Sequence, residues 1–204
     1  MKKLLLSVML MTSIVSCQEA QKEAVAQDTK NATVETILSR RSIRSYKPEQ
    51  ISEGALDTII NCAINAPSAR NMQPWEVRVV QDPELLQAVT EGFKASTGNP
   101  DAKDPFFAAP TVVFVAYQKE NFFGQLDCGW LGQNILLAAE SMNIGTCVVG
   151  GPVNYLNSPD AKDIVAKLNF SDGYEILYTI AMGYKNESPD AKPRDAGKVE
   201  IIKK

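Results

Sequence analysis

The run Thr111-Val112-Val113-Phe114-Val115-Ala116-Tyr117 is the segment that most restricts the fold. A strand turns alternate side chains to opposite faces, so a run apolar on both faces belongs inside a sheet covered on both sides. Other strands are expected around it. WEVRVVQ at 75–81 alternates in strand fashion, TCVVGG at 146–151 is a short strand entering a glycine turn, and YEILYTIAMGY at 174–184 is a further strand. The terminal VEIIKK is expected to add one more. Between these runs the apolar period is helical. Val34, Ile37 and Leu38 share a face and begin a short helix that stops at an arginine cluster. A second helix follows Pro48, with Ser52 as N-cap and Leu56, Ile59, Ile60 and Ala63 on its buried side, ending before Pro67. Pro83–Phe93, Gly124–Met142 and Ala161–Leu168 are also expected to be helical. Strands separated by helices indicate a layered α/β or α+β domain.

The 204 residues include 21 Lys+Arg and 24 Asp+Glu, a formal net charge of -3, which argues against a general nucleic-acid binder. There is no histidine, so histidine-based nucleophile pairs and imidazole metal ligands are both excluded. Cys17, Cys62, Cys128 and Cys147 are scattered without a CxxC pair, and no metal site is expected. Cys62, Cys128 and Cys147 are expected in the core as small hydrophobes.

The N-terminus reads as a targeting segment. Lys2-Lys3 precede an apolar run from Leu4 to Val15, too short to span a bilayer. Ile14-Val15-Ser16-Cys17 resembles a bacterial lipobox, which implies lipidation of Cys17; the plainer alternative is an ordinary signal peptide with a chance cysteine. Gln18 after the cysteine implies sorting to the outer membrane of a Gram-negative envelope. The expected organisation is a signal peptide over 1–16, a flexible polar tether over 17–31 and a folded domain over 32–204.

Two stretches carry chemistry. Arg40, Arg41, Ser42 and Arg44 present guanidinium forks and a hydroxyl at a helix-to-loop junction, which suits a phosphate. A basic helix C-terminus favoured by the dipole explains the same residues without a ligand. APSARNMQPWEVRVV at 66–80 offers Ser68, Asn71 and Gln73 in a loop beside an apolar strand, able to hydrogen-bond a heterocycle or polyol. The alternative is a proline-rich connection whose Asn and Gln satisfy their own backbone.

Together, R-R-S-x-R and A-P-S-x-x-N-x-Q-P-W resemble the nitroreductase family of FMN-dependent oxidoreductases. NIGTCVVGG (143–151), AKPR (191–194) and DCGWLGQNILLAAESMNIGT (127–146) resemble its glycine-turn segment, late basic segment and middle helix. The resemblance spans Val34 to Lys204.

It implies an α+β fold, a three-layer α-β-α sandwich with a central mixed, mainly antiparallel sheet, in an intertwined homodimer binding two FMN molecules. Arg40, Ser42 and Arg44, with Arg41, would take the phosphate and ribityl end, joined by Lys192 and Arg194. Pro67, Ser68 and Asn71, with Gln73 nearby, would come from the other subunit. Gly150 and Gly151 would place backbone N–H groups at the flavin N5 edge, and Asn99 would touch the ring. Phe122 and Phe123 either line the substrate face or cap the core. VEIIKK would embrace the partner subunit. Trp75 is expected to pack, and Asp127 and Glu140 to be solvated or ion-paired.

No protein acid or base is required, because the flavin carries the hydride and the protein binds and tunes it. The activity implied is ping-pong transfer from NAD(P)H to nitroaromatics, quinones or related small acceptors. The alternative is a non-catalytic envelope lipoprotein that binds flavin or another small ligand. Nicotinamide donors are cytoplasmic, so an envelope location leaves the electron donor open.

Overall fold

The computed structural model describes residues 31–203. The signal segment, Cys17 and most of the expected tether lie outside these residues. The described chain divides into the helix α1 (Ala32–Ser39) and a second unit beginning at Arg40. Within α1, Asn31 Oδ1 accepts the N–H groups of Thr33 and Val34 at 2.9 and 3.4 Å, satisfying two donors of the first turn. As expected, the helix ends before the arginine cluster.

The second unit is built on four strands, β1 (Trp75–Val80), β2 (Thr111–Gln118), β3 (Ile144–Val149) and β4 (Tyr174–Tyr184). They form an open sheet in the order β1-β2-β4-β3. Every paired strand is antiparallel. Among the described residues the one parallel element is an isolated bridge from Ser42 to Thr146 on the free edge of β3.

β2 is buried over its first six residues, and its alternation divides two cores. Val113 and Val115 face the cluster formed with α2 (Glu53–Ile64) and α4 (Gly124–Ser141). Val112, Phe114 and Ala116 face the cluster formed with α3 (Pro83–Thr97), α5 (Val153–Leu156) and α6 (Lys162–Ala166). Helices therefore cover both faces of the sheet, the three-layer arrangement that a doubly apolar central strand requires.

Local chemistry fixes the ends of α3. Asp82 Oδ1 accepts from the N–H groups of Glu84 and Leu85, Pro83 opens the helix, and Gly98 closes it at φ 63°. Ser52 occupies the N-cap position of α2, but its side chain makes no capping bond there.

Three expectations need correction. The described part of VEIIKK forms no strand: Val199, Ile201 and Ile202 are irregular and exposed, and they pair with no strand of the described chain. Cys62 is exposed, whereas Cys128 and Cys147 are buried as expected. Asp127 is neither solvated nor ion-paired: only 3% exposed, it accepts a backbone N–H from Ala69.

Candidate functional site

The arginine segment is placed by a buried residue in its middle. Ile43 N–H donates to Thr146 O at 2.9 Å on the edge of β3, and the Ile43 side chain is buried. A Cβ at Gly145 would lie 3.0 Å from three Ile43 carbons, so the glycine is what lets the segment seat against the strand. Because side chains alternate along an extended segment, inward Ile43 sends Ser42 and Arg44 outward.

From Arg44 onward the segment runs beside the chain leaving β4. Lys47 N–H donates to Tyr184 O at 2.9 Å, Tyr46 bridges Lys185, and Asn186 N–H donates to Ser45 O at 3.0 Å. This pairing delivers the chain after Glu187 back to the arginines. A cleft of about 130 Å³ results, lined by Arg40, Arg41, Ser42 and Arg44 on one side and Pro189, Asp190, Lys192 and Arg194 on the other. The two basic segments, far apart in sequence, thus meet.

Three of the cations have local partners, the first being Arg41, whose Nη1 donates to Arg40 O at 2.9 Å. The Arg44 guanidinium reaches Ser42 O at 3.3 Å and lies 5.9 Å from the centre of the Phe107 ring. Arg194 Nη1 donates to Lys192 O at 3.0 Å. Beneath the cleft, burial pushes the Cys147 thiol above its ordinary range, against the opposing pull of Arg44, Ser42 and Arg40. That thiol is a packing group under the site rather than a thiolate.

β3 leads from this cleft to the glycine turn. Ser42 is level with Thr146, and Gly150 lies four residues farther on, about 14 Å at the rise of a strand. Neither Gly150 nor Gly151 has a positive φ. A Cβ would meet nothing within 4 Å at Gly150, and at Gly151 only Phe93 at 3.9 Å. Nothing inside the described chain demands glycine here, so the surface by the turn is open to close approach from outside.

The APSARNMQPW loop is elsewhere. It precedes β1, the edge strand opposite β3, and enters at the end of the sheet away from Ser42. Four inter-strand spacings across (roughly 19 Å) and about six residues along (roughly 20 Å) separate it from the arginine segment. One chain therefore does not bring Pro67, Ser68, Asn71 and Gln73 to the cationic cleft.

That loop is held in an uncommon conformation. Arg70, Asn71 and Gln73 have φ of 55°, 56° and 48°. Ser68 Oγ accepts the Gln73 N–H at 3.1 Å, Gln73 Nε2 donates to Asn71 Oδ1 at 3.2 Å, and Asp127 Oδ2 accepts the Ala69 N–H at 3.1 Å. Left-handed non-glycine residues are strained and persist where the surroundings over-determine them. Pro67, Asn71 and Gln73 are exposed at its surface.

Phe122 and Phe123 stack edge to face at 5.0 Å before α4, and they are 92% and 44% exposed. They do not cap the core. Neighbouring Asn121 reaches Met72 Sδ at 3.8 Å, so the phenylalanines stand beside the 67–73 loop, not beside the cleft. Asn99 accepts the Asp101 N–H at 3.0 Å just beyond α3, tied into its own turn. Trp75 is buried in the core, and Glu140 pairs with Lys185 at 2.8 Å, both as expected.

Sequence reading missed Asp127 as an anchor of the loop and Glu187 as an acceptor for the Arg44 N–H. An acid in the first turn of a helix suggests only a dipole interaction, and nothing near Glu187 in sequence marks it.

Comparison with known proteins agrees with the arrangement. A solved nitroreductase with bound FMN from Desulfitobacterium hafniense is 30% identical, superposes with a TM-score of 0.78, and the match covers 85% of this chain and 99% of that one. A Bacteroides fragilis nitroreductase with bound FMN, 24% identical, shares the fold at a TM-score of 0.80 over 85% of this chain and all of that one. The NADPH-flavin oxidoreductase of Vibrio harveyi is 29% identical over 80% of this chain and 70% of its own length. The model of the nitroreductase family matches residues 37–184, well over half the sequence and the whole span from the arginine segment to the end of β4. This chain belongs to the nitroreductase family.

Proposed function

We propose that this protein is an FMN-dependent oxidoreductase that accepts hydride from NAD(P)H and passes electrons to nitroaromatic, quinone or related small acceptors in a ping-pong cycle. The observation that carries the reading is the meeting of Arg40, Arg41, Ser42 and Arg44 with Lys192 and Arg194 around one cleft of phosphate size. The relatives support it: one is an NADPH-flavin oxidoreductase, and solved members hold FMN.

The residues present fit that cofactor. A flavin phosphate carries close to two negative charges, and guanidinium forks with a hydroxyl are its strongest side-chain partners. The open, uncrowded backbone at Gly150 and Gly151 lies farther along β3 from the same cleft. When bound, FMN supplies the hydride-accepting ring. Ser42 and the cations would hold the phosphate, and the Gly150–Gly151 backbone would offer N–H groups to the ring. No side chain of the site needs to move a proton, which is consistent with a chain lacking histidine.

The placement of the 67–73 loop argues for a homodimer. In such a dimer a second copy brings its Pro67, Ser68 and Asn71, with Gln73 close by, over the flavin. Phe122 and Phe123 arrive with them and line the acceptor side. Leu126 and Trp130, one helical turn apart on α4, are exposed, as are Ile64 and Met72. An apolar surface of this kind fits a symmetric contact between copies. The exposed Val199, Ile201 and Ile202 give the tail an apolar strip with which to embrace the partner. The lipobox-like Ile14–Cys17 supports anchoring by a lipid on Cys17 at the outer membrane.

Steady-state kinetics with NAD(P)H and a quinone test the reading. Parallel double-reciprocal lines with FMN-loaded protein are expected, and FMN-loaded protein inert to every donor would favour a flavin binder without catalysis.

A further inference from the structure

Glu187 is a carboxylate at the edge of a cleft built for an anion. Five cations line that cleft, and Asp190 lines it with them. On charge alone another acid beside it opposes the binding of a phosphate. The geometry gives it a different task. The Arg44 backbone N–H donates to the Glu187 carboxylate. Asn186 bonds Ser45 twice, by its N–H to Ser45 O at 3.0 Å and by Nδ2 to Ser45 Oγ at 3.2 Å. Tyr46 bridges Lys185, and Lys47 N–H donates to Tyr184 O at 2.9 Å. Glu187 is thus the last rung of a short ladder joining the arginine segment to the chain leaving β4.

Beyond this rung the two segments diverge around the cleft, one through Arg44 and Ser42, the other through Pro189, Lys192 and Arg194. The rung fixes where they part. A charged acceptor makes a stronger bond to a backbone N–H than a neutral one, which suits a junction partly open to water. The carboxylate also offsets repulsion among the cations while no anion is present.

We propose that Glu187 is a positioning residue of the phosphate site: by holding the Arg44 backbone it sets the angle at which the Lys192–Arg194 arm meets the arginines. This rests on the cleft being the FMN phosphate site. Purified apoprotein titrated with FMN, followed by quenching of flavin fluorescence, tests it. Glu187→Gln keeps an oxygen in reach of the Arg44 N–H and removes the charge, so its FMN affinity is expected to equal or exceed that of the wild type. Glu187→Ala removes the acceptor, and a loss of about fivefold or more is expected, the order of one net hydrogen bond.

Amide hydrogen exchange at Arg44 is expected to quicken in the alanine variant only. If both variants bind FMN more tightly than the wild type, Glu187 acts solely as an opposing charge and the proposal is overturned. Alanine binding at wild-type affinity overturns it as well. A folded wild type that takes up no FMN removes the phosphate site itself and the proposal with it. Wild-type binding that Arg44→Ala weakens and Glu187→Ala does not removes the proposal alone.

Discussion

Asp127 Oδ2 accepts the backbone N–H of Ala69 at 3.1 Å, tying the first turn of α4 to the loop before β1. The carboxylate is buried, so the positive end of the helix and this single N–H take the place of water. Its effect is to hold a loop that contains three left-handed non-glycine residues.

Asp127→Ala is expected to lower stability by about 1–3 kcal/mol, the usual result of removing a buried acceptor and leaving its part-buried backbone donor unpaired. Asp127→Asn, which keeps an acceptor, is expected to lose clearly less. Urea unfolding of the two variants provides the comparison, and equal losses would mean that the charge, not the Ala69 contact, matters.

Gly150→Ala separates the needs of the fold from those of the ligand. At this position φ is not positive and a Cβ meets nothing within 4 Å. The apoprotein should therefore be unchanged or stabilised by about 0.4–1 kcal/mol through a less flexible unfolded chain. FMN affinity is expected to fall tenfold or more, because the methyl would stand where the proposed site brings the ring. Thermal unfolding of the apoprotein and an FMN titration read the two effects separately.

The fold was largely legible in the sequence, and the reasons are local. A run apolar on both faces made β2 a central strand, and the helical stripe through Ile59 and Ala63 set the buried face of α2. Cys62, one residue off that stripe, faces outward instead. VEIIKK has the composition of a strand, but a strand also needs an edge to pair with, and composition names none. At the site, the two basic segments were legible as candidate anion binders because their residue types are specific. Their joining was not, since it depends on Ile43 seating against Gly145 and on the Glu187 rung. Asp127 was misread for a similar reason: its burial comes from a loop nearly sixty residues earlier in the chain.

The proposed sharing of a site between two subunits makes a prediction by mixing. Arg44→Ala damages the cationic cleft, and a combined Ser68→Ala and Asn71→Ala chain damages the loop. Each homodimer is expected to bind FMN weakly. Co-expressed, they are expected to regain tight sites at about one in four, because a mixed two-fold dimer unites both intact halves at one site. No recovery would place the two groups in separate functions.

Acid stability reports on a structural carboxylate. Burial works to raise the pKa of Glu76, but hydrogen bonds from Ser171 and Arg78 prevail and hold it below the ordinary 4.5. Arg78 Nη2 lies 2.6 Å from Glu76 Oε2, and Ser171 N–H donates to the same oxygen at 3.2 Å. A pKa lowered on folding adds stability above the unfolded value, lost as pH falls through the folded one. The stability difference between wild type and Glu76→Gln is therefore expected to be full near neutral pH and to shrink below about pH 4. Urea unfolding across that range measures it.

FMN-dependent turnover is tested most directly by the visible spectrum of the protein reconstituted with FMN, followed through one cycle. A tightly held yellow flavin is expected, bleached by NADPH or NADH without air and restored by a quinone or nitroaromatic. Arg44→Ala is expected to release the flavin while the far-ultraviolet circular dichroism stays unchanged. A folded protein that remains colourless with excess FMN would contradict FMN-dependent turnover.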